Sequence, residues 1–485
     1  MDANQGLRLR WCQLTLLTTL ALPVPCTQAA QPKPGEWGTF RQLFSADSPW
    51  NSRPIDPVLG DAQIPTSTYY PAVQEGVYST GVFLARPTDT PMTVQGLPGK
   101  PGLWNPDAEQ FQGSIRIPRW PANTLPAQGS DGHADIVDPE SGIVHSFFKL
   151  KRIDGEWRAL QYAWSPLNGR GWGDPAHYFQ GARAAGVPTS GGLIRTHEIN
   201  DGEPSYRHAL AMSLTFNGLS SAPTYVFPAT SSDTNAATTN SGAIPMGSLL
   251  MLPASFDARS IANVHLRKIA ETLKRHGAYV VDRNVGTPFV IYVELGSGFT
   301  LHTPNGKWDS VAARDLHRIR EQLRPVVSAS SWVNGDGQRI TPQQRFNLLS
   351  MRGPWQLTGG DRAGQFDTWR QALVFEPGEE PSSMSNTGRS VFGRLTWASP
   401  QPGQVYQLTA RNTGDAQLRL VLRDCDKPDA SIDSQALRDG QSFRFTWPIR
   451  LCGSRLIATS GVKGPSSVAG ELLPVGSERR PAKPD

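Results

Sequence analysis

Five histidines lie close together in the sequence, between residues 133 and 208, although the whole chain of 485 residues contains nine. They are His133, His145, His177, His197 and His208. Histidine changes its protonation state near neutral pH and is a common general base, general acid and metal ligand. The clustering predicts that this region carries any chemistry of the protein. The competing interpretation is that some of these side chains only bind backbone groups or lie on the surface.

The first candidate site lies in the segment from Ser130 to Asp138, which predicts a β-strand. Side chains alternate along a strand, so His133 and Asp135 should share one face. His145 stands on the next predicted strand, and its face depends on the turn between the two. A three- or five-residue loop places it with His133, and a four-residue loop places it opposite. If the three side chains share a face, they form an acid/base cluster or hold a divalent metal ion.

The second candidate site combines the segment that begins at Gly191 with the tripeptide that ends at His208. Its polar side chains are Arg195, His197, Glu198, Tyr206, Arg207 and His208. Either arginine can bind a carboxylate, the tyrosine or the last histidine can move a proton, and the glutamate can act as acid or base. The competing interpretation is a helical turn over residues 196–198 and a core histidine at position 208.

The elements around these segments predict a β-rich domain. Apolar runs at 133–137, 143–153 and 157–164, separated by turn-forming stretches, indicate a three-stranded meander. Two amphipathic helices are expected later, at 260–276 and 309–323, with caps at Gly277 and Asp309. The basic residues of the first helix, Lys268 among them, are expected to face solvent.

Composition and spacing set the fold class and the domain boundaries. The 47 glycines and 41 prolines exclude a helical bundle, because both residues are unfavourable inside helices. Beyond residue 388, short alternating runs at intervals typical of sandwiches predict a small C-terminal β-sandwich. The expected fold is therefore mainly β. The expected boundaries are a signal peptide at 1–30, a β-rich domain with the candidate site at 31–333, a connecting segment at 334–380, a β-sandwich domain at 381–475 and a tail at 476–485.

The first thirty residues have the order of a secretory signal peptide, with arginines, then an apolar stretch, then small residues ending at Ala30. The apolar stretch is too short to cross a membrane. We therefore expect a secreted or periplasmic protein without a membrane span. Removal of this peptide leaves Cys425 and Cys452, which in an oxidising compartment predict one disulfide, the alternative being two buried thiols.

Charge and missing motifs limit the choice of function. The formal net charge of +5 favours an anionic partner, but no dense run of lysine and arginine indicates nucleic acid binding. The Gly-x-Ser-x-Gly, Gly-x-x-x-x-Gly-Lys, His-Glu-x-x-His and Cys-x-x-Cys motifs do not occur. Nucleotide-dependent chemistry and the common serine hydrolases are therefore not expected.

Three segments resemble a group of exported bacterial β-rich proteins. They are Asp131-Gly132-His133 before Asp138-Pro139, Gly192-Leu193-Ile194-Arg195 before Arg207-His208-Ala209-Leu210, and the run from Gly277 to Asp282 after a helix. The likeness covers roughly residues 45 to 300 and leaves out the C-terminal sandwich. It implies a secreted β-rich domain and transfers no catalytic residues.

Two functions follow from these observations. The first is a secreted carbohydrate-active enzyme that cleaves a polysaccharide, anionic or neutral, and requires no cofactor unless the metal site forms. As a polysaccharide lyase it would use His208 or Tyr206 as the base, with an arginine on a uronate carboxylate. As a glycoside hydrolase it would use Asp135 and Glu198 as the carboxylate pair. The second function is a non-catalytic extracellular or envelope glycan-binding protein.

Overall fold

The computed structural model describes residues 37–342, 344–387, 391–393, 395–427 and 431–476. The predicted signal peptide, and all of the predicted tail except Gly476, lie outside the described residues. In the described part of the chain, none of the helices has both the length and the apolar character needed to cross a membrane.

Most of the regular secondary structure of the described residues is β-strand, which confirms the predicted fold class. The α-helices are Ala236–Thr239, Val264–Arg275 and Ser310–Gln322, and the 3-10 helices are Thr196–Glu198, Ala258–Ser260 and Thr396–Ala398. The two longer helices are those predicted from the sequence. Their N-caps, Asn263 and Asp309, each accept hydrogen bonds from two backbone amides of the first turn, which would otherwise lack partners.

An eight-stranded sheet forms the centre of the N-terminal part. Its strands, in spatial order, are Arg53–Leu59, Arg324–Val333, Leu249–Met251, Ala278–Asn284, Leu210–Thr215, Phe289–Tyr292 and Ala72–Gln74, with Arg339–Ile340 paired to the second. Leu210–Thr215 is buried along its whole length, as expected of a strand that is covered on both faces. The two longer helices contribute Leu266, Ile269 and Leu316 to the same core.

Two further sheets pack together around a second core. The six-stranded sheet contains Gly81–Leu84, Ala134–Asp138, Ile143–Phe148, Gln161–Pro166, Leu103–Asn105 and Gln110–Gln112. The four-stranded sheet contains Lys151–Ile153, Glu156–Ala159, Met92–Gly96 and Ser114–Ile117. The predicted meander is present as the strands Ala134–Asp138, Ile143–Phe148 and Gln161–Pro166 of the six-stranded sheet. The end of the second predicted run and the start of the third, Lys151–Ile153 and Glu156–Ala159, belong instead to the four-stranded sheet. The chain turns at Lys149, whose positive φ of 55° ends the extended conformation.

The C-terminal part is a sandwich-like arrangement of three sheets around its own apolar core. A five-stranded sheet contains Trp355–Gly359, Ser383–Asn386, Leu451–Thr459, Gln417–Asp424 and Ser431–Asp433. The two three-stranded sheets contain Gln365–Asp367, Ala372–Phe375 and Ser466–Val468, and Ser442–Thr446, Val405–Ala410 and Gly470–Pro474. Trp355–Gly359 and Ala372–Phe375 therefore pair with strands that follow residue 380.

Cys425 and Cys452 form a disulfide within this sandwich, as predicted. The bond joins residues 27 apart, so it restricts the unfolded chain. We expect C425S/C452S to lower the free energy of unfolding by about 3 to 4 kcal/mol, as loop-closure entropy predicts. Chemical denaturation of oxidised wild type, reduced wild type and the variant measures this effect. Equal stability of all three would contradict the prediction.

Candidate active site

A cleft with a volume of about 1270 Å³ lies between the six-stranded and the eight-stranded sheets. Trp104 and Phe148 line it from the first sheet, and Ser213 and Tyr292 line it from the second. Further aromatic rings in its wall belong to Tyr78, Phe179, Phe216 and Tyr225. A volume above the usual range of about 300 to 1,000 Å³ for small-molecule pockets fits an elongated ligand. Aromatic side chains offer apolar faces against which sugar rings can pack.

Arg183 is the central cation of this cleft. The residue is 2% exposed, and its Nη1 donates a hydrogen bond to Oδ2 of Asp282 at 3.0 Å. The guanidinium lies 3.9 Å from the centre of the Tyr292 ring. Among the described residues, Nε and Nη2 of Arg183 have no hydrogen-bond partner. Unpaired buried donors are unfavourable, so these two groups would bind a ligand acceptor such as a carboxylate if one reached them from the cleft.

Two carboxylates of the cleft hold their protons more tightly than usual. Burial raises the pKa of Asp282 to about 6, although the nearby charge of Arg183 opposes this change. Burial also raises the pKa of Asp233, against the opposing charge of Arg283, which lies 3.3 Å from it. Titratable groups with perturbed pKa values in a cleft are typical of functional sites.

His133 lines the same cleft and is neutral at pH 7. Burial, followed by the charge of Arg183, lowers its pKa to about 3. Nδ1 lies 3.3 Å from the carbonyl oxygen of Phe147, and a carbonyl can only accept a hydrogen bond. Nδ1 therefore carries the proton, and Nε2 keeps a lone pair that can accept one.

The structure does not form the predicted cluster of His133, Asp135 and His145. Residues 139–142 make a four-residue loop between the two strands. With this loop, His145 pairs with Ile136, and Ser146 pairs with Asp135. His145 therefore points to the opposite face, as the four-residue alternative requires, and its Nδ1 lies 2.9 Å from the Tyr162 hydroxyl. In the parts of the chain that the structure describes, no group of three or more His, Cys, Asp or Glu side chains is arranged to hold a metal ion.

Asp135 connects the six-stranded sheet to the loop that precedes Gly191. It accepts hydrogen bonds from the hydroxyls of Ser146, Thr189 and Ser190, and from the amide of Ser190, at 2.6 to 2.7 Å. The carboxylate is fully buried and does not line the large cleft. Asp135 therefore holds the loop at Thr189 and Ser190 against the sheet. It does not pair with Glu198 as the second carboxylate of a hydrolase.

The second predicted segment forms a separate cluster around a cavity of about 30 Å³. Oε2 of Glu198 accepts a hydrogen bond from the Arg195 amide at 3.0 Å and lies 3.2 Å from Nε2 of His208. Nε of Arg195 donates to Glu294 at 3.0 Å. The structure therefore brings Arg195, Glu198 and His208 together, whereas His133 lines the large cleft. Residues 196–198 form the helical turn of the competing interpretation.

The other predicted site residues surround this cluster without lining either cavity. His197 is half-buried, and Arg207 is partly exposed, with Nη2 3.4 Å from a carboxylate oxygen of Glu203. Tyr206 is buried, and Nζ of Lys268 lies 4.6 Å from the centre of its ring. The prediction that Lys268 faces solvent is wrong, because its ammonium group donates to the Glu198 carbonyl at 2.5 Å and pairs with Asp201.

Glu198 and His208 are expected to stabilise the fold in a manner that depends on pH. Burial disfavours the charged form of each group, but the attraction and the hydrogen bond between the two groups favour it more strongly. The pKa of Glu198 therefore falls to about 2, and the pKa of His208 rises. The glutamate contribution is present above its unfolded pKa of about 4.5 and is lost as pH falls, and the histidine contribution is present below about 6.5 and is lost as pH rises. The pair therefore contributes most between these values.

We expect Glu198→Gln to lower the free energy of unfolding by about 3 to 5 kcal/mol at pH 6, because it leaves a buried histidine without its partner. The loss should be smaller at pH 9, because the contribution of His208 is lost as pH rises through its raised folded pKa. Chemical denaturation at the two pH values measures the difference. Glu203→Gln, in a more exposed pair, is the matched control and should change stability by less than about 1 kcal/mol. An equal loss at both pH values would contradict the prediction.

Sequence reasoning missed most of the charged groups of the cleft. Arg183 lies in a glycine-rich stretch without periodicity, so nothing in its neighbourhood marks it. Asp282 carried a readable signal, because it follows the apolar run that begins at Ala278. Polar residues at the ends of apolar strands often lie where sites form, and this rule selects Asp282.

No protein-family model matches the chain, and no curated protein matches it. A solved family 16 carbohydrate-binding module matches 21% of this chain and 74% of its own, at 10% identity and a TM-score of 0.16. TmCBM61 in complex with β-1,4-galactotriose matches 25% of this chain and 88% of its own, at 10% identity and a TM-score of 0.17. The accessory secretory protein 1, 2 and 3 structure from Streptococcus pneumoniae matches 28% of this chain and 99% of its own, at 12% identity and a TM-score of 0.18. Similarities at these TM-scores carry no argument about what this chain binds.

Proposed function

We propose that this protein is an exported carbohydrate-active enzyme that cleaves an anionic polysaccharide in the large cleft by β-elimination. The observation that carries the proposal is the state of Arg183, a buried cation with two donor groups that lack partners among the described residues. It shares an aromatic-lined cleft with His133, a neutral histidine. A uronate unit supplies both the carboxylate that Arg183 would bind and an acidic carbon-bound proton.

In the proposed reaction, residues of the cleft supply the proton acceptor, the proton donor and the group that stabilises the developing charge. Arg183 binds the uronate carboxylate and stabilises the negative charge that develops when the neighbouring C5 loses its proton. Nε2 of His133 accepts that proton, the C5–H electron pair forms the C4–C5 double bond, and the C4–O bond breaks. Tyr292, whose pKa is raised by burial, keeps its proton at neutral pH and is the proposed donor to the leaving oxygen. Neither step requires a cofactor.

Substrate binding itself should make His133 a better base. Its pKa is depressed first by burial and then by the charge of Arg183. A bound uronate carboxylate neutralises that charge, so the second cause is removed and the pKa rises toward the working pH. This change brings the base closer to the pKa that favours proton transfer.

Hydrolysis in the same cleft is the second candidate, and the raised pKa of Asp282 favours it. A carboxyl group with a pKa of about 6 can act as general acid, and Asp233 would then be the second carboxylate. These residues replace the pair of Asp135 and Glu198 considered from the sequence. The third candidate, glycan binding without turnover, uses the same cleft but moves no proton.

One assay series separates the three candidates. Purified protein is incubated with neutral and anionic polysaccharides, and reducing ends are followed together with the absorbance of unsaturated products. β-Elimination yields both signals on an anionic substrate, hydrolysis yields reducing ends alone, and binding yields retention in affinity electrophoresis without either. Lyase turnover should rise with pH through about 6, where Asp282 ionises and holds Arg183, whereas hydrolysis with Asp282 as acid should decline over that range. Absence of unsaturated products on every anionic polysaccharide would overturn the proposal.

A further inference from the structure

A group of exposed aromatic side chains lies outside the cleft, at one end of the eight-stranded sheet. Tyr69 is 63% exposed, Tyr70 is 53% exposed and Trp308 is 37% exposed. Tyr70 and Trp308 have ring centroids 6.5 Å apart, and His302 lies 5.3 Å from Trp308. Clustered exposed rings of this kind mark binding surfaces, because they leave apolar area in contact with water.

This surface continues from the rim of the cleft. Val285, which lines the cleft, is 75% exposed and precedes Gly286. The Tyr69 amide donates to the Gly286 carbonyl at 2.8 Å, and the Tyr69 ring packs so closely that a Cβ on Gly286 would lie 2.9 Å from it. The φ of 80° at Gly286 also favours glycine. The contact therefore fixes Tyr69 beside the cleft.

At its far end the surface meets an open groove of about 510 Å³. Thr300, His302 and Thr303 line this groove with hydroxyl and imidazole groups. Lys307, next to Trp308, is exposed and adds a positive charge. Rings, hydroxyl groups and a cation together match an anionic sugar chain better than they match an apolar partner.

We propose that Tyr69, Tyr70, Trp308 and the adjoining groove form an aromatic track that binds the polysaccharide where it extends beyond the cleft. The inference rests on the proposed function for the identity of the ligand. Its occupant is the same anionic chain that enters the cleft, because the track begins at Val285 on the cleft rim. The track adds affinity for long chains and has no role in the chemistry.

The test compares Tyr70→Ala/Trp308→Ala with Ile449→Ala, a control in which an exposed apolar residue of the C-terminal sandwich is removed. Dissociation constants for a long anionic polysaccharide, hyaluronan or polygalacturonate, are measured by affinity electrophoresis and calorimetry. The double variant should bind the polymer at least about tenfold more weakly, because it loses two rings that would pack against the sugar units. Its kcat/KM on a short oligosaccharide that fits the cleft should equal that of the wild type.

The outcomes separate this inference from the proposed function. Loss of polymer affinity in the double variant supports the track even if the wild type cleaves nothing. Unchanged polymer affinity in a variant with a wild-type circular dichroism spectrum overturns it, and so does a wild type that binds neither polymer. If light scattering shows that the substitutions convert a dimer to a monomer, the surface is instead an interface between copies. Tyr70→Ala alone, with an expected loss of at least about threefold, provides the second variant should the double variant misfold.

Discussion

Replacing Arg183 with methionine is expected to lower kcat/KM on an anionic polysaccharide by about a hundredfold to a thousandfold. Methionine keeps much of the side-chain length but cannot bind the uronate carboxylate or stabilise the charge that develops at C5. Loss of one partner from a desolvated charged contact is worth about 2 to 5 kcal/mol, and each 1.4 kcal/mol is about tenfold. Initial rates of unsaturated product formation measure the effect.

The substitution also leaves Asp282 without the cation that it binds at 3.0 Å. Arg183→Met/Asp282→Asn removes this orphaned carboxylate and should fold like the wild type while remaining inactive. Arg183→Lys keeps the charge without the planar fork and should retain intermediate activity. Retention of full kcat/KM by folded Arg183→Met would show that no carboxylate is bound there, and the β-elimination proposal would fail.

Replacing His133 with glutamine is expected to lower kcat by about a hundredfold or more, the usual contribution of a general base, with little change in KM. Glutamine can still donate a hydrogen bond to the Phe147 carbonyl, but it has no nitrogen lone pair that accepts a proton at neutral pH. The measurement is kcat from initial rates, corrected for the folded fraction by thermal unfolding.

Two other histidines provide matched controls for His133. His145→Gln changes a buried histidine on the opposite face of the same sheet, and His208→Gln changes the partner of Glu198. Both should lower the melting temperature and leave turnover per folded molecule nearly unchanged. If His208→Gln abolished turnover in folded protein while His133→Gln did not, the active site would lie at the small cavity and His133 would not be the base.

The elements of this fold could be predicted because their signals are local. Capping by Asp309, the apolar stripe of the helix that follows it, and the alternation of the strands each depend on residues a few positions apart. The disulfide followed from cysteine number and from the expected compartment. The face on which His145 lies was also a local matter, because it depended only on the length of the turn that precedes its strand.

The candidate cleft depended on contacts that are distant in the sequence. Arg183 and Asp282 are 99 residues apart, and no pattern near either residue indicates the other. Lys268 and Glu198 are 70 residues apart, and a lysine away from an apolar stripe is normally solvated. Packing of whole sheets decided which polar side chains met in a cleft and which became buried pairs. Burial is the main cause of the raised pKa of Asp282 and of the lowered pKa of His133. Composition and periodicity therefore determined the class of fold. Desolvation in the tertiary structure decided where chemistry can occur.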